Sequence, residues 1–455
     1  MKTLHKALTS NLGWSAFGNG ASTILRLLLK LALVRILLPD DFGLLSLFTA
    51  VTSFSGLFQN LGLQPAIINQ TPAGDKHEQE WYTTGFTLQV LLSFSVAVLV
   101  YALRSPLGSF FNSTRMEAVA TMIALSTCLS GISGLPSAIL SKKLQFKTVV
   151  LIEVFALAAY CSLAILSTGA LGGSIFAGDK AMGVIYSQIA SQSLQTILLF
   201  FFLYRFMGWK PWIKINPRIA KKLSHFGAFV FSNQLLALAL TQGDLAFLGR
   251  TQGLSEVGYY SMAMFIGTFV STAVGGVVTR VVYPMYCNFR YDKQALQSIY
   301  QKSLSLSLSL VLPVAILTIF SSELLIKLFF PARWFVCVPL VAPLALGGFL
   351  RYWNMISCIG IEAEGISGTR TAASVKIIQV VALIPLMILG RLKLGTLGVA
   401  WATCISMGIG TLSTVTLVHK RFEMSALQLP KLFIRPALLG TLSVVLLSYL
   451  ARRYI

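Results

Sequence analysis

The stretch that decides the fold is Ser10–Gly43, which reads SNLGWSAFGNGASTILRLLLKLALVRILLPDDFG. Its residues 11–38 contain no proline and are mostly apolar, and at about 1.5 Å per residue they are long enough to cross a bilayer as a helix. Arg26 and Lys30 interrupt the apolar run, and residues four apart share one helix face. Because a cation near the centre of a spanning helix costs about 2.5–3.5 kcal/mol on insertion scales, we interpret this pair as functional and expect an anionic cargo.

The whole chain has the composition of a membrane protein. Hydrophobic residues make up 55% of the 455 residues and charged residues only 11%, whereas an average soluble domain carries about 25% charged residues. The mean hydropathy is +0.76, and apolar segments long enough to cross a bilayer recur from end to end. We predict thirteen spans, at residues 11–38, 43–68, 82–103, 117–140, 148–168, 181–204, 226–249, 257–287, 303–326, 335–360, 370–390, 395–418 and 433–452.

The predicted orientation of these spans explains the formal net charge of +21. With the N-terminus in the cytoplasm, the predicted cytoplasmic segments hold about twice as many Lys and Arg residues as the predicted periplasmic ones, in agreement with the positive-inside rule. Residues 204–225, the longest polar link, carry six of these cations, and we interpret them as a headgroup-facing linker. The charge therefore indicates a multi-pass protein of inner-membrane type, and we expect no nucleic-acid partner.

Two short matches at one spacing indicate an internal repeat. Residues 35–46 (RILLPDDFGLLS) align without a gap with residues 250–261 (RTQGLSEVGYYS), so that an Arg, an acidic residue, a Gly and a Ser coincide. The same spacing brings residues 183–186 (GVIY) onto residues 398–401 (GVAW). Because each repeat would contain six spans, an even number, we expect two lobes of equal orientation, with the substrate site between them.

Four stretches of the chain resemble the polysaccharide or oligosaccharide flippases of bacterial inner membranes, which belong to the multidrug/oligosaccharidyl-lipid/polysaccharide exporter superfamily. The stretches are LALVRILLPDDFGLLSL (31–47), FQNLGLQPAIIN (58–69), LPSAILSKKLQFK (135–147) and GDLAFLGRTQGLSEVGYYSMA (243–263). The resemblance extends over nearly the whole chain, and it is strongest to the branch that handles O-antigen, colanic acid and exopolysaccharide.

This resemblance implies both an architecture and a cargo. The architecture is an all-α polytopic membrane protein with two six-helix lobes, residues 1–210 and 211–425, around a central cavity, and an additional C-terminal transmembrane helix in residues 426–455. The cargo is an undecaprenyl-pyrophosphate-linked oligosaccharide repeat unit, moved from the cytoplasmic to the periplasmic leaflet by alternating access for surface polysaccharide biosynthesis. We expect a monomer whose partners are this substrate, membrane lipids and other membrane proteins of polysaccharide assembly.

The cations within the predicted spans are candidates for binding the anionic headgroup. A lipid pyrophosphate is a compact anion, which Arg binds through two parallel N–H groups and Lys as a point charge. Arg26 and Lys30 are the first candidates, and Arg280, Arg351 and Lys376 in the second half of the chain are the others. The alternative is a structural role, because long cationic side chains also form ion pairs or reach toward the membrane surface.

Asp244 is the candidate for ion coupling. It lies in the predicted span 226–249, on a face with Asn233. An acidic side chain inside a membrane either pairs with a cation or takes up a proton or sodium ion, and a structural pair with Arg250 or a helix terminus is the alternative. We expect no other cofactor and no metal, because the six cysteines are scattered and the four histidines lack ligand spacing.

Sugar hydroxyl groups need hydrogen-bonding partners, and polar side chains occur on three of the predicted helices. The candidates for a sugar-facing cavity are Gln188, Gln192 and Gln195 in the sixth span, Gln59 and Asn60 in the second, and Asn233 in the seventh. Packing between helices is the alternative explanation, because small and polar residues are also favoured there.

Two other classes of function compete with a flippase. A drug or organic-cation antiporter of the related multidrug branch would need acidic residues in its cavity, and the predicted spans hold more cations than acidic residues. An enzyme of the same sugar pathway would need paired carboxylates, a mid-membrane His or a phosphate-binding glycine loop, none of which the sequence contains. We therefore expect a transporter and not an enzyme.

Overall fold

The fold is that of a computed structural model, which describes residues 2–70, 75–143, 145–169, 179–207, 212–289, 292–362, 366–424, 434 and 436–445. In these ranges the secondary structure is helical, and they contain no strand. The prediction of an all-α polytopic membrane protein is therefore confirmed.

Sixteen helical segments follow one another along the described chain. They are α1 (Lys2–Ile36), α2 (Pro39–Asn60), α3 (Leu63–Gln70), α4 (Asp75–Ala102), α5 (Arg104–Phe110), α6 (Arg115–Lys142), α7 (Phe146–Ser167), α8 (Lys180–Met207), α9 (Pro217–Thr251), α10 (Leu254–Asn288), α11 (Lys293–Phe320), α12 (Ser322–Phe329), a 3₁₀ helix (Ala332–Cys337), α13 (Val338–Glu362), α14 (Ile366–Arg421) and α15 (Pro436–Val445).

Ten segments of the described chain are long and apolar enough to cross a membrane. One of them, Ser367–Arg421, has 55 residues and contains two helices, which meet at Gly395 with a φ of 59° and a ψ of −136°. This segment therefore accounts for two of the thirteen predicted spans. The predicted span 226–249 lies within α9. Of the predicted span 433–452, the structure describes residue 434 and α15.

The second predicted span, 43–68, is not one continuous helix. It is divided into α2 and α3 at Leu61 and Gly62, whose φ values of 39° and 71° place both residues in the left-handed region. A helix cannot continue through that conformation, and the Leu61 N–H instead caps α2 by donating to the Leu57 carbonyl at 3.1 Å.

The chain divides into two compact units. Unit 1 comprises Met1–Leu238 and Gly249–Gly253, and unit 2 comprises Ala239–Leu248 and Leu254–Ile455. Helix α9 therefore contributes to both units. The lobe boundaries expected from the sequence, after residues 210 and 425, stay a prediction.

Each unit has an apolar core at one end of its helices. In unit 1, Trp81 and Tyr82 of α4 pack with Leu140 of α6 and with Ile219 and Leu223 of α9. In unit 2, a larger aromatic group comes from α10, α11, α13 and α14, and its members include Tyr286, Tyr300, Tyr352 and Phe422. Aromatic side chains bury large areas per residue, so these clusters fix the ends of the helices that carry the candidate site residues.

Candidate functional site

Three helices of unit 1 begin next to one another, and one arginine connects them. Arg115, at the start of α6, donates to Asp41 of α2 at 2.8 Å and to both carboxylate oxygens of Asp179, which precedes α8, at 2.9 and 2.6 Å. Asp41 also accepts from the Leu38 N–H, and Asp179 from the Ala181 and Met182 N–H groups. Both carboxylates therefore cap a helix N-terminus, where negative charge is favourable.

Unit 2 contains a corresponding contact, made by the acidic residue that the repeat aligns with Asp41. Glu256, which the repeat aligns with Asp41, lies in the first turn of α10 and accepts from Thr396 Oγ1 at 2.5 Å. Thr396 follows the Gly395 break and opens the second half of α14, as Asp179 opens α8. The starts of two equivalent helices are thus joined through a carboxylate in each unit, which supports the internal repeat.

We expect Arg115→Ala to lower the stability of the folded protein by about 1–3 kcal/mol, because it leaves two partly buried carboxylates without their charged partner. Thermal unfolding of the purified protein in detergent measures this effect. Arg115→Lys keeps the charge but loses the two-point contact with Asp179. Its unfolding temperature should therefore lie between those of Arg115→Ala and the wild-type protein. An Ala variant that unfolds at the wild-type temperature would show that the contact contributes nothing.

Arg26 and Lys30 lie on α1, as predicted. The Arg26 side chain is exposed and that of Lys30 is half-buried. Arg26 is near enough to Tyr160 and Cys161 of α7 to interact with both electrostatically. An exposed guanidinium on an apolar spanning helix is costly unless a polar or anionic group accompanies it. The structure therefore leaves the Arg26 guanidinium accessible to a ligand.

A group of amide side chains is buried among α2, α4 and α6 of unit 1. Gln59 Nε2 donates to Ser130 Oγ at 2.7 Å. Gln89, only 1% exposed, lies against α6, where a Cβ on Gly134 would come within 2.3 Å of its Nε2 atom. Gln59 Oε1 and both polar atoms of Gln89 have no hydrogen-bond partner within the described structure. Because unpaired buried amides are costly, this group can bind a hydroxyl group or a water molecule.

The other predicted sugar-facing residues of unit 1 differ in their surroundings. Gln192 is held by Ser126 of α6, whose Oγ donates to Gln192 Oε1 at 2.8 Å and whose carbonyl accepts from Gln192 Nε2 at 3.2 Å. Gln188 and Gln195 are half-buried on the same helix. Asn60 Oδ1 accepts from the Gln64 N–H at 3.3 Å. Asn233, in α9, is half-buried, and a sugar-binding role for this set stays a prediction.

Asp244 lies in a hydrogen-bonded network of unit 2. It is 1% exposed, and its Oδ2 atom accepts from the Tyr260 hydroxyl of α10 at 2.6 Å. The Tyr260 oxygen is 3.2 Å from Thr403 Oγ1 of α14, and Thr403 Oγ1 is 3.1 Å from the Val399 carbonyl oxygen. The Arg351 charge also acts on this carboxylate. Asp244 and Arg351, two residues that the sequence singled out separately, therefore lie within electrostatic range of each other.

Of the three predicted cations of unit 2, the structure describes the side chains of Arg351 and Lys376, which have different surroundings. Arg351 is half-buried on α13, near Asp244. Lys376 of α14 forms an ion pair with Glu362 of α13 at 3.4 Å. The Arg280 side chain lies outside the described residues, although its backbone belongs to α10. A headgroup role for these cations stays a prediction, and at Lys376 a ligand would compete with Glu362.

Sequence reasoning missed Tyr260, Thr403 and Gln89. Tyr260 lies within the repeat that indicates two halves, but it aligns there with Leu45, so the repeat gave no signal for its role. Gln89 carried none, because a single amide in an apolar helix has no distinctive spacing. Across the described residues, no three His, Cys, Asp or Glu side chains are close enough to hold a metal ion.

Comparison with known proteins shows the family to which this chain belongs. Residues 32–339, more than half of the chain, match the family model described as "Polysaccharide biosynthesis protein". The teichuronic acid biosynthesis protein TuaB of Bacillus subtilis (strain 168) is 24% identical over 351 residues, which are 77% of this chain and 70% of TuaB.

Two solved structures share the fold. The lipid II flippase MurJ, in an inward closed conformation, matches with a TM-score of 0.71 and 17% identity over 97% of this chain and 98% of its own. A multidrug resistance MATE family transporter, in an inward-facing conformation, matches with a TM-score of 0.72 and 14% identity over 88% of this chain and 94% of its own. At these identities the likeness is one of fold. The two neighbours differ in function, since one is described as a lipid flippase and the other as a multidrug transporter.

Proposed function

Because the chain belongs to the family of polysaccharide biosynthesis proteins, we propose that it flips undecaprenyl-pyrophosphate-linked oligosaccharide repeat units across the bacterial inner membrane. The movement runs from the cytoplasmic to the periplasmic leaflet by alternating access, with the N-terminus in the cytoplasm. The product serves surface polysaccharide biosynthesis.

One observation carries this proposal: two cations on one face of an otherwise apolar spanning helix. Arg26 is exposed and Lys30 half-buried on α1, and their positive charge suits a pyrophosphate headgroup. Charge-assisted hydrogen bonds from Arg to phosphate oxygens are about twice as strong as neutral ones. The amides Gln59 and Gln89 add buried polar atoms without a partner among the described residues, and sugar hydroxyl groups would bind them once this group opens to the cargo.

Export of organic cations is the second candidate, and the fold shared with the MATE transporter favours it. A cationic drug requires acidic partners. Among the described residues, the predicted spans supply the acidic residues Glu153 and Asp244 for this purpose. They carry more cations, which include Arg26, Lys30, Arg351 and Lys376. The sign of the charge therefore favours the anionic cargo.

The experiment that tests the proposal measures the leaflet of a pyrophosphate-linked oligosaccharide in proteoliposomes. The lipid is placed in the inner leaflet, and a sugar-cleaving enzyme outside reports each oligosaccharide that arrives in the outer leaflet. We expect cleavage to rise with time in vesicles that contain the protein and to stay low in empty ones. Efflux of a cationic dye without movement of any lipid-linked glycan would overturn the proposal in favour of the drug exporter.

The network around Asp244 supports proton coupling as part of this function. With Asp244 ionised, Thr403 can donate to Tyr260 and Tyr260 to Asp244. With Asp244 protonated, the direction reverses, since Asp244 can donate to Tyr260, Tyr260 to Thr403, and Thr403 to the Val399 carbonyl. Every hydroxyl hydrogen has an acceptor in both states, so the network accommodates a proton without leaving a buried donor unpaired.

We expect Asp244→Asn to remove the response of transport to a pH gradient while preserving the fold, because the amide keeps the shape of the carboxylate but cannot ionise. The measurement is flipping in proteoliposomes under imposed proton and sodium gradients. Tyr260→Phe is the companion variant, and it should weaken the response because it breaks the chain of hydroxyl groups. A wild-type pH response in Asp244→Asn would leave this carboxylate with a structural role.

A further inference from the structure

The polypeptide between α8 and α9 is fixed to unit 1 by two buried threonines. The Lys214 N–H donates to Thr87 Oγ1 at 3.1 Å, and Thr87 Oγ1 is 3.2 Å from the Lys214 carbonyl oxygen. The Asn216 N–H donates to Thr84 Oγ1 at 3.3 Å. Both threonines are 2% exposed. Residues 212–216, which have no regular secondary structure, therefore hold a defined position along α4.

The first turns of α9 continue this segment as an amphipathic helix. Ile219 and Leu223 are buried in the apolar core of unit 1, and their spacing of four residues places them on one face. Arg218, Lys221 and Lys222 are exposed. Residues three and four apart are neighbours on a helix surface, so these three cations form one positively charged face that points away from the core.

The segment also exposes large apolar side chains beside these cations. Trp212 is 68% exposed and Ile213 is 84% exposed, the highest value for a large apolar side chain in the described part of the chain. Lys214 is exposed as well. Exposed apolar and cationic side chains in one short segment are typical of surfaces that bind to a membrane interface, where Trp is also enriched.

The depth of the segment agrees with an interfacial position. Helix α4 is polar as far as Glu80 and becomes largely apolar from Trp81 onward. At 1.5 Å per residue, Thr84 and Thr87 lie about 5 and 9 Å further along the helix axis than Trp81. Residues 214–216, which are hydrogen-bonded to them, are therefore level with the beginning of the apolar part of α4 and not out in the solvent.

From these observations we infer that residues 212–222 form a binding site for the headgroups of anionic phospholipids. Trp212 and Ile213 insert between the lipids, and the cations Lys214, Arg218, Lys221 and Lys222 bind the phosphate groups. Complementary charge selects this occupant, because anionic lipids attract basic segments at the membrane surface. The site is separate from the transported cargo, and the inference does not rest on the proposed function.

The test compares lipid binding by the full-length protein and by a fourfold variant, Lys214→Gln/Arg218→Gln/Lys221→Gln/Lys222→Gln. The protein is purified in a neutral detergent, and its unfolding temperature is followed while dioleoylphosphatidylglycerol or dioleoylphosphatidylcholine is added. Each basic residue near an anionic surface contributes about fivefold to affinity. The removal of four should therefore raise the phosphatidylglycerol concentration that gives half of the stabilisation by about 600-fold.

A matched control removes the same charge elsewhere. Lys180, Lys302, Lys327 and Lys393 are also exposed, and their fourfold replacement by Gln should leave the preference for phosphatidylglycerol intact. If the 212–222 variant does not fold, the pair Lys221→Gln/Lys222→Gln and a salt titration of wild type give the same comparison, since salt screens exposed charges. An unchanged preference in the 212–222 variants, or an equal loss in the control, would overturn the inference.

Discussion

Replacing Arg26 and Lys30 together by Ala is expected to abolish flipping of a pyrophosphate-linked oligosaccharide while the protein stays folded in the membrane. The two side chains lie on one face of α1, one exposed and one half-buried. Hydrogen bonds to charged groups contribute about 1.5–3 kcal/mol each. The loss of two such contacts to a pyrophosphate therefore lowers its affinity on the order of 100-fold or more. Removing cations from an apolar helix also relieves a cost of insertion, so the amount of folded protein should not fall.

The same helix offers a matched control for this variant. Ile24 and Leu28 are exposed on α1 and are also four residues apart, so Ile24→Ala/Leu28→Ala removes comparable side-chain volume without a change of charge. It should transport at close to the wild-type rate. Arg26→Lys/Lys30→Arg keeps both charges but changes their geometry, and partial activity is expected. Normal flipping by well-folded Arg26→Ala/Lys30→Ala would exclude this pair from the transport mechanism.

The sequence was sufficient to predict the helices and their repetition. Long apolar runs without charge have few structural solutions in a bilayer, which is why the predicted spans coincide with helices. The repeat based on Asp41 and Glu256 was also informative, because both acids turn out to lie in the first turn of a helix and to bind the start of another. A helix N-terminus selects such residues locally, so the signal is visible in one sequence.

The partners of the site residues could not be predicted, because they come from distant parts of the chain. Asp244 is bound by Tyr260 and, through it, by Thr403, more than 150 residues further along. Hydrophobic periodicity defines which face of a helix is buried, but it does not determine the neighbouring helix or its register. The break between α2 and α3 was missed for a related reason, since Leu61 is an unusual residue for a positive φ.

The turn within α14 depends on a contact that leaves no room for a side chain. In a straight helix, Gly390 and Gly398 would be about 12 Å apart. Here a Cβ on Gly398 would lie 1.9 Å from the Gly390 carbonyl oxygen and 2.3 Å from its carbonyl carbon. The two halves of α14 therefore turn back on each other at Gly395 with their backbones in contact. The repeat-related Gly183 is less crowded, because its nearest neighbour would be Ser167 Oγ at 3.1 Å.

We expect Gly398→Ala to destabilise the protein by about 3 kcal/mol or more, since a backbone cannot give way as a flexible side chain can. Gly183→Ala should cost less, because Ser167 can adjust. Gly408→Ala is the control on the same helix, where the nearest atom is Leu350 Cδ1 at 3.8 Å; it should be neutral or stabilising by up to about 1 kcal/mol, because Ala favours the helix. Thermal unfolding in detergent and the yield of folded protein in membranes measure this order. If Gly398→Ala were as stable as Gly408→Ala, the close contact of the two halves would not exist in the folded protein.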